Sequence, residues 1–511
     1  MTAIRQRYER LESERQPFLD RARDAAELTI PSLLPPDGHS AHSKLYTPYQ
    51  GIGARGVNNL SSKMLLALLP PNSPFFRLTV DDFKLQELAQ EEGARAEVEE
   101  ALSKIERAVM SEIEASSTRI AAFEAIKHLL VAGNVLLFQP DTGGMRVFHL
   151  DRYVLKRDPM GNPLEIITKE DVSPSALPEE IRALLEAADT EDTAEDEPVS
   201  LFTHVVRRDG TWNVSQEVSG IPVPEATGTF PLDKSPYIPL RLSRIDGESY
   251  GRGYVEEYQG DLRSLETLTQ AIVEAAAASA KVLFLVRPNG TTRARVLAEA
   301  PNGAIREGDA NDVTTLQVQK SGDMQIAFQT AQEIKERLSY AFLMNSSVQR
   351  NAERVTAEEI RYMASELEDA LGGIYSILSQ EFQLPLVNRL LLQMQKQKKV
   401  PQLPKGVVSP TIVTGLEALG RGHDLNKLAA MLDHLQPLGP EAIQKYMNVG
   451  DYITRVGTSL GMDMDGLIKS EEQMQQEEQQ AMAMQTGQQL APQAFDAMKE
   501  QMTAQQGNEQ T

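Results

Sequence analysis

Three places in this 511-residue chain carry side chains that could do chemistry, and each suggests one kind. His39 and His42, with Asp37 just before them, could hold a transition metal; with no cysteine and no Glu-bearing helix beside them, a proline-containing loop is the competing reading. Asp463 and Asp465 precede Gly466 as in a calcium loop, yet a loop begun at Asp463 puts Met474 where the bidentate glutamate is needed. GESYGRGY, residues 247–254, has glycines that could cradle a phosphate, but lacks the strand-to-helix GxGxxG context; chain reversal accounts for Gly247, Gly251 and Gly253. No GxxxxGK[ST] loop occurs, so the backbone cradle and lysine of a P-loop motor are missing. No catalytic, cofactor-binding or metal-binding residue is assigned, and no cofactor is expected.

The elements around these places are more informative. Residues 245–273 and 355–392 are long helical blocks separated by a compact strand-rich insert. In the first block Tyr258, Leu262, Leu265, Leu268, Ile272 and Ala276 recur at steps of three and four, the period of one helix face. The run Ala275 to Ala278 keeps helix propensity high with little side-chain bulk, so a partner helix can approach closely. The insert, from Lys281 to about Gly322, reads as two strands, KVLFLVRP and VTTLQVQ, with turns at Pro288-Asn289-Gly290 and Pro301-Asn302-Gly303. Helical spacing resumes with Ala331, Ile334, Leu338, Ala341, Phe342 and Val348. The expected geometry is two helices side by side with a small mixed module at their shared end. Leu262, Leu265, Ile272, Ala276, Ala277, Leu338 and Phe342 are the expected packing residues.

The second block follows the polar stretch SSVQRNAER, whose Ser and Asn side chains compete for backbone hydrogen bonds and favour a loop. Thr356 with Glu359 forms a capping box. Ile360, Met363, Leu367, Leu371, Ile374, Leu378 and Phe382 carry an apolar stripe to Pro385, where the missing amide and the ring should kink the helix. A helix from Thr356 to Lys396 would be on the order of 60 Å long.

Elsewhere, residues 1–30 suggest a first helix ending before Pro31, and a second helix runs from about Gly53 to Leu69. Residues 94–132 suggest two helices parted near Ser116-Ser117. Strands are expected at PFFRLTV, NVLLFQP, MRVFHL, LEIITKE, LFTHVVRR and TWNVSQEV, giving an α+β body that is predominantly helical overall. EAADTEDTAEDEP, residues 186–198, reads as an acidic surface loop. After Pro410 a strand or turn and further helices are expected, and from Glu471 the chain is rich in Gln, Glu, Met and Ala, partly disordered at its end. Disulfides and thiolate metal sites are excluded by the absence of cysteine, which suits a reducing cytoplasmic assembly site. No run is long and apolar enough for a membrane span. The 51 basic against 73 acidic side chains leave a net charge of -22, the wrong sign for tight general binding of DNA.

At these blocks the chain resembles the portal, or head-to-tail connector, proteins of short-tailed bacteriophages. The resemblance is carried by TIPSLLP (29–35), GARGVNNLSSKMLLALLPP (53–71), EAIKHLLVAGNVLLF (124–138), PYIPLRLSRIDGESYGRGYVEEYQGDLRSLE (236–266) and RVTAEEIRYMASELEDALGGIYSILSQEFQLPLV (354–387). It implies the portal fold: an α+β wing over 1–250, a first stem helix over 251–280, a clip over 281–325 and a second stem helix over 326–349. A channel loop and long kinked wing helix follow over 350–410, then a crown over 411–470 and the tail 471–511. About twelve copies would close into a homo-oligomer ring at one capsid vertex of the virion. The implied role is a conduit for packaging and ejection of double-stranded DNA without sequence specificity, and a nucleus for procapsid assembly. Implied partners are the terminase motor, capsid and scaffolding proteins, the tail adaptor and internal core proteins, with no membrane.

On that resemblance the acidic balance is either a wall that repels phosphate and lets DNA slide, or simply a device for solubility. Arg350 and Arg354 would lie in the channel loop and touch phosphate oxygens, or pair with Glu353, Glu358 or a neighbouring subunit. Lys335 and Arg337, on the charged side of the second stem helix, would face the channel or form solvated or intersubunit pairs. The alternative class is an enzyme of the same pathway, such as a metal-dependent nuclease.

Overall fold

The computed structural model describes residues 4–40, 42–71, 74–80, 94–141, 144–177, 179, 181–183, 198–279, 283–316, 321–344, 371–403, 408–412, 421–435, 437, 447 and 449–459. They divide into two compact units, a large one within 1–91 and 101–418 and a small one within 92–100 and 419–511.

The large unit is built on two antiparallel sheets. Five strands form a simple meander in chain order: β4 (Tyr153–Arg157), β5 (Pro163–Val172), β6 (Val199–Arg208), β7 (Thr211–Val218) and β8 (Ile221–Pro231). Three more, β3 (Arg146–Phe148), β2 (Asn134–Phe138) and β9 (Tyr237–Arg241), pair in that spatial order. α1 (Ile4–Glu27) lies on the meander, where Tyr8 and Leu11 join Val154, Ile167 and Phe202 in one buried cluster. Arg7 of α1 reaches Glu165 of β5, which also meets His204 of β6 at 2.9 Å. Burial pulls the Glu165 carboxyl upward, but the hydrogen bonds from His204 and Arg7 prevail and hold it at about 2.

β4, β8 and β9 escape the sequence reading, and for two of them the reason is proline. Pro222 in β8 and Pro239 in β9 argue against a strand, yet both strands stand at sheet edges, where a missing ladder donor is tolerated. The expected helices are present as α2 (Ile52–Leu68), α3 (Ala94–Ala115) and α4 (Thr118–Ala132). A long-range pair, β1 (Phe76–Val80) with β12 (Val408–Ile412), ties the first quarter of the chain to residues beyond 400.

Next come a single turn α5 (Tyr254–Glu257) and the long α6 (Gln259–Ser279). β10 (Leu283–Val286) pairs antiparallel with β11 (Val313–Leu316), and the turn α7 (Ala294–Ala298) lies between them. α8 (Ser321–Ala341) then runs beside α6 and carries Ala331, Ile334, Leu338 and Ala341 of the expected helical spacing. The kink expected at Pro385 takes the form of a π turn. Helical residues 371–378 pass through Ser379–Gln383 into α9 (Leu384–Lys396), with the Leu384 amide donating to Ser379 O, five residues back. The wider turn relieves the clash between the proline ring and the carbonyl four residues before it. In the small unit α10 (Arg421–Leu435) and α11 (Val449–Ser459) pack together, and the Tyr452 hydroxyl donates to Leu428 O at 3.5 Å.

Candidate functional site at the paired helices

The α6–α8 hairpin is set on the body by an aromatic root. Leu262 and Leu265 of α6 and Leu338 of α8 are buried, as is Phe342 just past the end of α8. The Phe342 ring stands 6.0 Å from those of both Tyr254 and Tyr258. Gly56 of α2 faces it, and a Cβ placed there would lie 2.5 Å from Phe342 Cγ, so only glycine lets the two helices meet at this distance.

The last turn of α8 ends in two interlocked hydrogen bonds, Met344 N–H to Ser339 O at 2.8 Å and Leu343 N–H to Tyr340 O at 3.0 Å. This is a Schellman closure, which needs a left-handed residue and normally employs glycine there; Leu343 takes that conformation at φ 51°. Its cost is offset by donors from elsewhere in the fold. Asn59 Nδ2 donates to Phe342 O at 2.9 Å and Leu343 O at 3.0 Å, Lys63 Nζ to Leu343 O at 2.8 Å, and the Tyr254 hydroxyl to Ala341 O at 2.8 Å. Orphan carbonyls at the helix end are thereby satisfied.

A second device straps residues 46–50 across α6. The buried Glu266 carboxylate accepts the Tyr46 hydroxyl at 2.6 Å, Tyr49 N–H at 2.8 Å and Gln50 N–H at 3.1 Å. Donation to Glu266 pushes the Tyr46 hydroxyl up to about 12. Between this strap, the start of α2 and the helix pair lies a cleft of about 460 Å³, lined among others by Arg55, Ile272, Val273, Phe328 and Lys335.

Among the expected packing residues, Leu262, Leu265, Leu338 and Phe342 are buried, Ile272 is half-buried at the cleft, and Ala276 and Ala277 are exposed in the single chain. Lys335 is exposed at the cleft edge. Arg337 pairs with Asp261 of α6 at 2.8 Å, a contact between the two helices of one chain that the sequence reading did not consider. Arg350 and Arg354, with the capping box at Thr356, lie outside the described residues. Glu266, Asn59 and Lys63 were missed. Glu266 had a signal, because it follows Leu262 by four and so falls on the apolar stripe.

The glycine-rich turn has a structural use beyond reversal. Gly247 adopts φ 76°, while a Cβ at Gly251 would meet Ser243 O at 2.6 Å and one at Gly253 would meet Val131 O at 2.4 Å. Asn134 clasps Gly251 from both sides, donating to its oxygen at 2.9 Å and accepting from its amide at 2.7 Å. At the π turn Glu381 accepts Arg241 at 2.8 Å and faces Arg157 at 3.7 Å, two arginines that are themselves buried. Burial lowers the Arg157 guanidinium to about 10. Lys396 and Lys399 reach Asp141 at 3.0 Å and Glu112 at 2.7 Å. Asp37 of the candidate metal loop pairs with Arg23 at 2.6 Å, and among the described residues no group of three His, Cys, Asp or Glu could hold a metal ion. No described helix is long and apolar enough to cross a membrane.

Residues 1–468 match the family described as bacteriophage head to tail connecting protein. The chain is similar to the portal protein of Escherichia phage T7, 46% identical over 93% of this chain and 90% of the relative. The portal protein of Enterobacteria phage T3 is 45% identical over 92% and 88% of the two chains, and that of Enterobacteria phage SP6 is 32% identical over 94% and 92%.

Proposed function

Because this chain belongs to the bacteriophage head to tail connecting proteins, we propose that its α6–α8 hairpin is the stem that surrounds a central passage, with the β10–β11 module as the clip at its far end. The protein is a structural portal subunit, and copies of it form a ring at the junction of head and tail in the virion. The nuclease alternative has no support in its relatives, which are portal proteins.

The finer assignment is what the resemblance to portal proteins implies. About twelve copies close the ring, double-stranded DNA passes through it without sequence readout, and the clip seats the terminase motor before the tail replaces it. The two sheets with α1 form the wing, residues 371–396 belong to the long wing helix, and α10 and α11 belong to the crown. Capsid, scaffolding, tail adaptor and internal core proteins meet the outer surfaces. A net charge of -22 suits a conduit that must not hold its cargo. Arg337, already neutralised by Asp261, guides phosphate at most weakly, and Arg350 and Arg354 are the stronger candidates for contact with DNA.

The observation that carries this reading is the similarity along nearly the whole chain to named portal proteins, joined to a hairpin whose alanine face is bare in the single chain. Light scattering coupled to size exclusion, with negative-stain images of the same peak, tests it. A 56.5 kDa chain closing into about twelve copies gives roughly 680 kDa and a central hole. A stable monomer under assembly conditions would overturn it.

A further inference from the structure

α8 carries two exposed stripes that the single chain leaves without a partner. Ile326, Glu333 and Tyr340 recur one heptad apart along one side, with Ile326 67% and Tyr340 70% exposed. Phe328 and Lys335, also a heptad apart, edge the cleft on the other side, where Phe328 is 55% and Val273 of α6 50% exposed. Glu333 and Lys335 make no ion pair among the described residues, although Arg337 between them does.

We propose that in the ring the cleft beside α8 receives the Ile326–Glu333–Tyr340 stripe of the adjacent copy, with Glu333 of one subunit pairing with Lys335 of the next. The inference rests on the ring reading above and deepens it by naming the contact between stems.

Three observations carry it. The first is angular: equivalent members of the two stripes are two residues apart, hence about 160° apart around a helix of 3.6 residues per turn. A ring of about twelve requires roughly 150° between a subunit's two side faces, because a heterologous contact must present one face to each neighbour.

The second is height. Two residues rise only about 3 Å, and rotation about an axis along the helices leaves height unchanged. Ile326 therefore arrives level with Phe328, Glu333 level with Lys335, and Tyr340 level with Ser339 and Met344 at the end of the cleft.

The third is sign. The cleft side is basic, with Arg55 and Lys335, and the arriving stripe is acidic at its middle and apolar at Ile326. This moves Lys335 from the channel wall to the subunit interface.

Charge exchange tests the pairing. Glu333→Lys and Lys335→Glu, each alone, set like charges together at every interface, and each should lower the ring fraction about tenfold at the concentration where the wild type is half assembled. The double exchange restores opposite signs and should recover rings. Singles that assemble like wild type, or a double variant that fails where both singles fail, would overturn the pairing. A second measurement avoids dependence on assembly yield. In this cysteine-free chain, Glu333→Cys with Lys335→Cys and a short bismaleimide should give a ladder of covalent multimers from intact rings. Intact rings without a ladder would refute the contact. A wild-type chain that stays monomeric would instead sink the ring reading, and the pairing with it.

Discussion

Replacing Gly56 by alanine should change sign in its effect on stability according to what stands at position 342. In the native chain the added Cβ would lie 2.5, 2.7 and 2.9 Å from Phe342 Cγ, Cδ2 and Cβ, atoms near the base of a fully buried side chain that cannot swing away. Overpacking of this kind costs about 1–3 kcal/mol. Alanine is favoured over glycine inside a helix by roughly 1 kcal/mol, so the net loss in Gly56→Ala should be about 1 kcal/mol. Phe342→Ala alone removes a ring packed between Tyr254, Tyr258 and Gly56 and should cost about 3–5 kcal/mol. In that background the new methyl enters vacated space, and Gly56→Ala should stabilise by up to roughly 1 kcal/mol. Hydrogen exchange of the amides in α2 and in the last two turns of α8 reads the local opening energy in all four variants. An effect of Gly56→Ala that agrees in sign and to within about 0.5 kcal/mol in both backgrounds would refute direct packing of Gly56 on Phe342.

Further expectations concern the strap, the buried histidine and the alanine face. Glu266→Gln keeps the shape but weakens acceptance from Tyr46, Tyr49 and Gln50, and should cost roughly 1–3 kcal/mol while opening residues 46–50 to limited proteolysis; unchanged cleavage would mean the strap is held by other contacts. Burial, with smaller contributions from His149 and Lys127, lowers the His128 imidazole to about 4, against about 6.5 in an unfolded chain. Between those values the unfolded state binds the extra proton, so stability falls as pH drops below 6.5, by about 2 kcal/mol at pH 5. His128→Gln should remove most of that slope in urea titrations, and an unaltered slope would assign it to other groups. Ala276→Leu or Ala277→Leu, on a face that is open in one chain, should leave the monomer folded and reduce ring yield; wild-type yield would show that no neighbour packs there.

Much of the fold and part of the site could be read locally. Helix periods, the turns at Pro288-Asn289-Gly290 and at Gly253, and the three middle strands of the meander, β5, β6 and β7, are properties of short windows, where spacing and propensity decide. The same windows mislead where position in a sheet matters: Pro222 and Pro239 look like strand breakers until the ladder shows both strands at an edge. Pro385 announces a disturbance, but whether the chain bends, breaks or widens into a π turn depends on what surrounds it, here Glu381 held by two buried arginines.

From the sequence by itself came the order of the elements, the apolar faces of the paired helices, the absence of thiol chemistry and the resemblance that the family match bears out. Tertiary structure alone decided which polar groups serve those faces. Glu266 finds the Tyr49 amide 217 residues away, and Asn59 finds the Phe342 carbonyl 283 residues away. Neither pairing has a local signature, because a hydrogen bond depends on where two distant segments are brought together. A sequence window records only the cost of burying the group, and the fold supplies the partner that makes such burial tolerable.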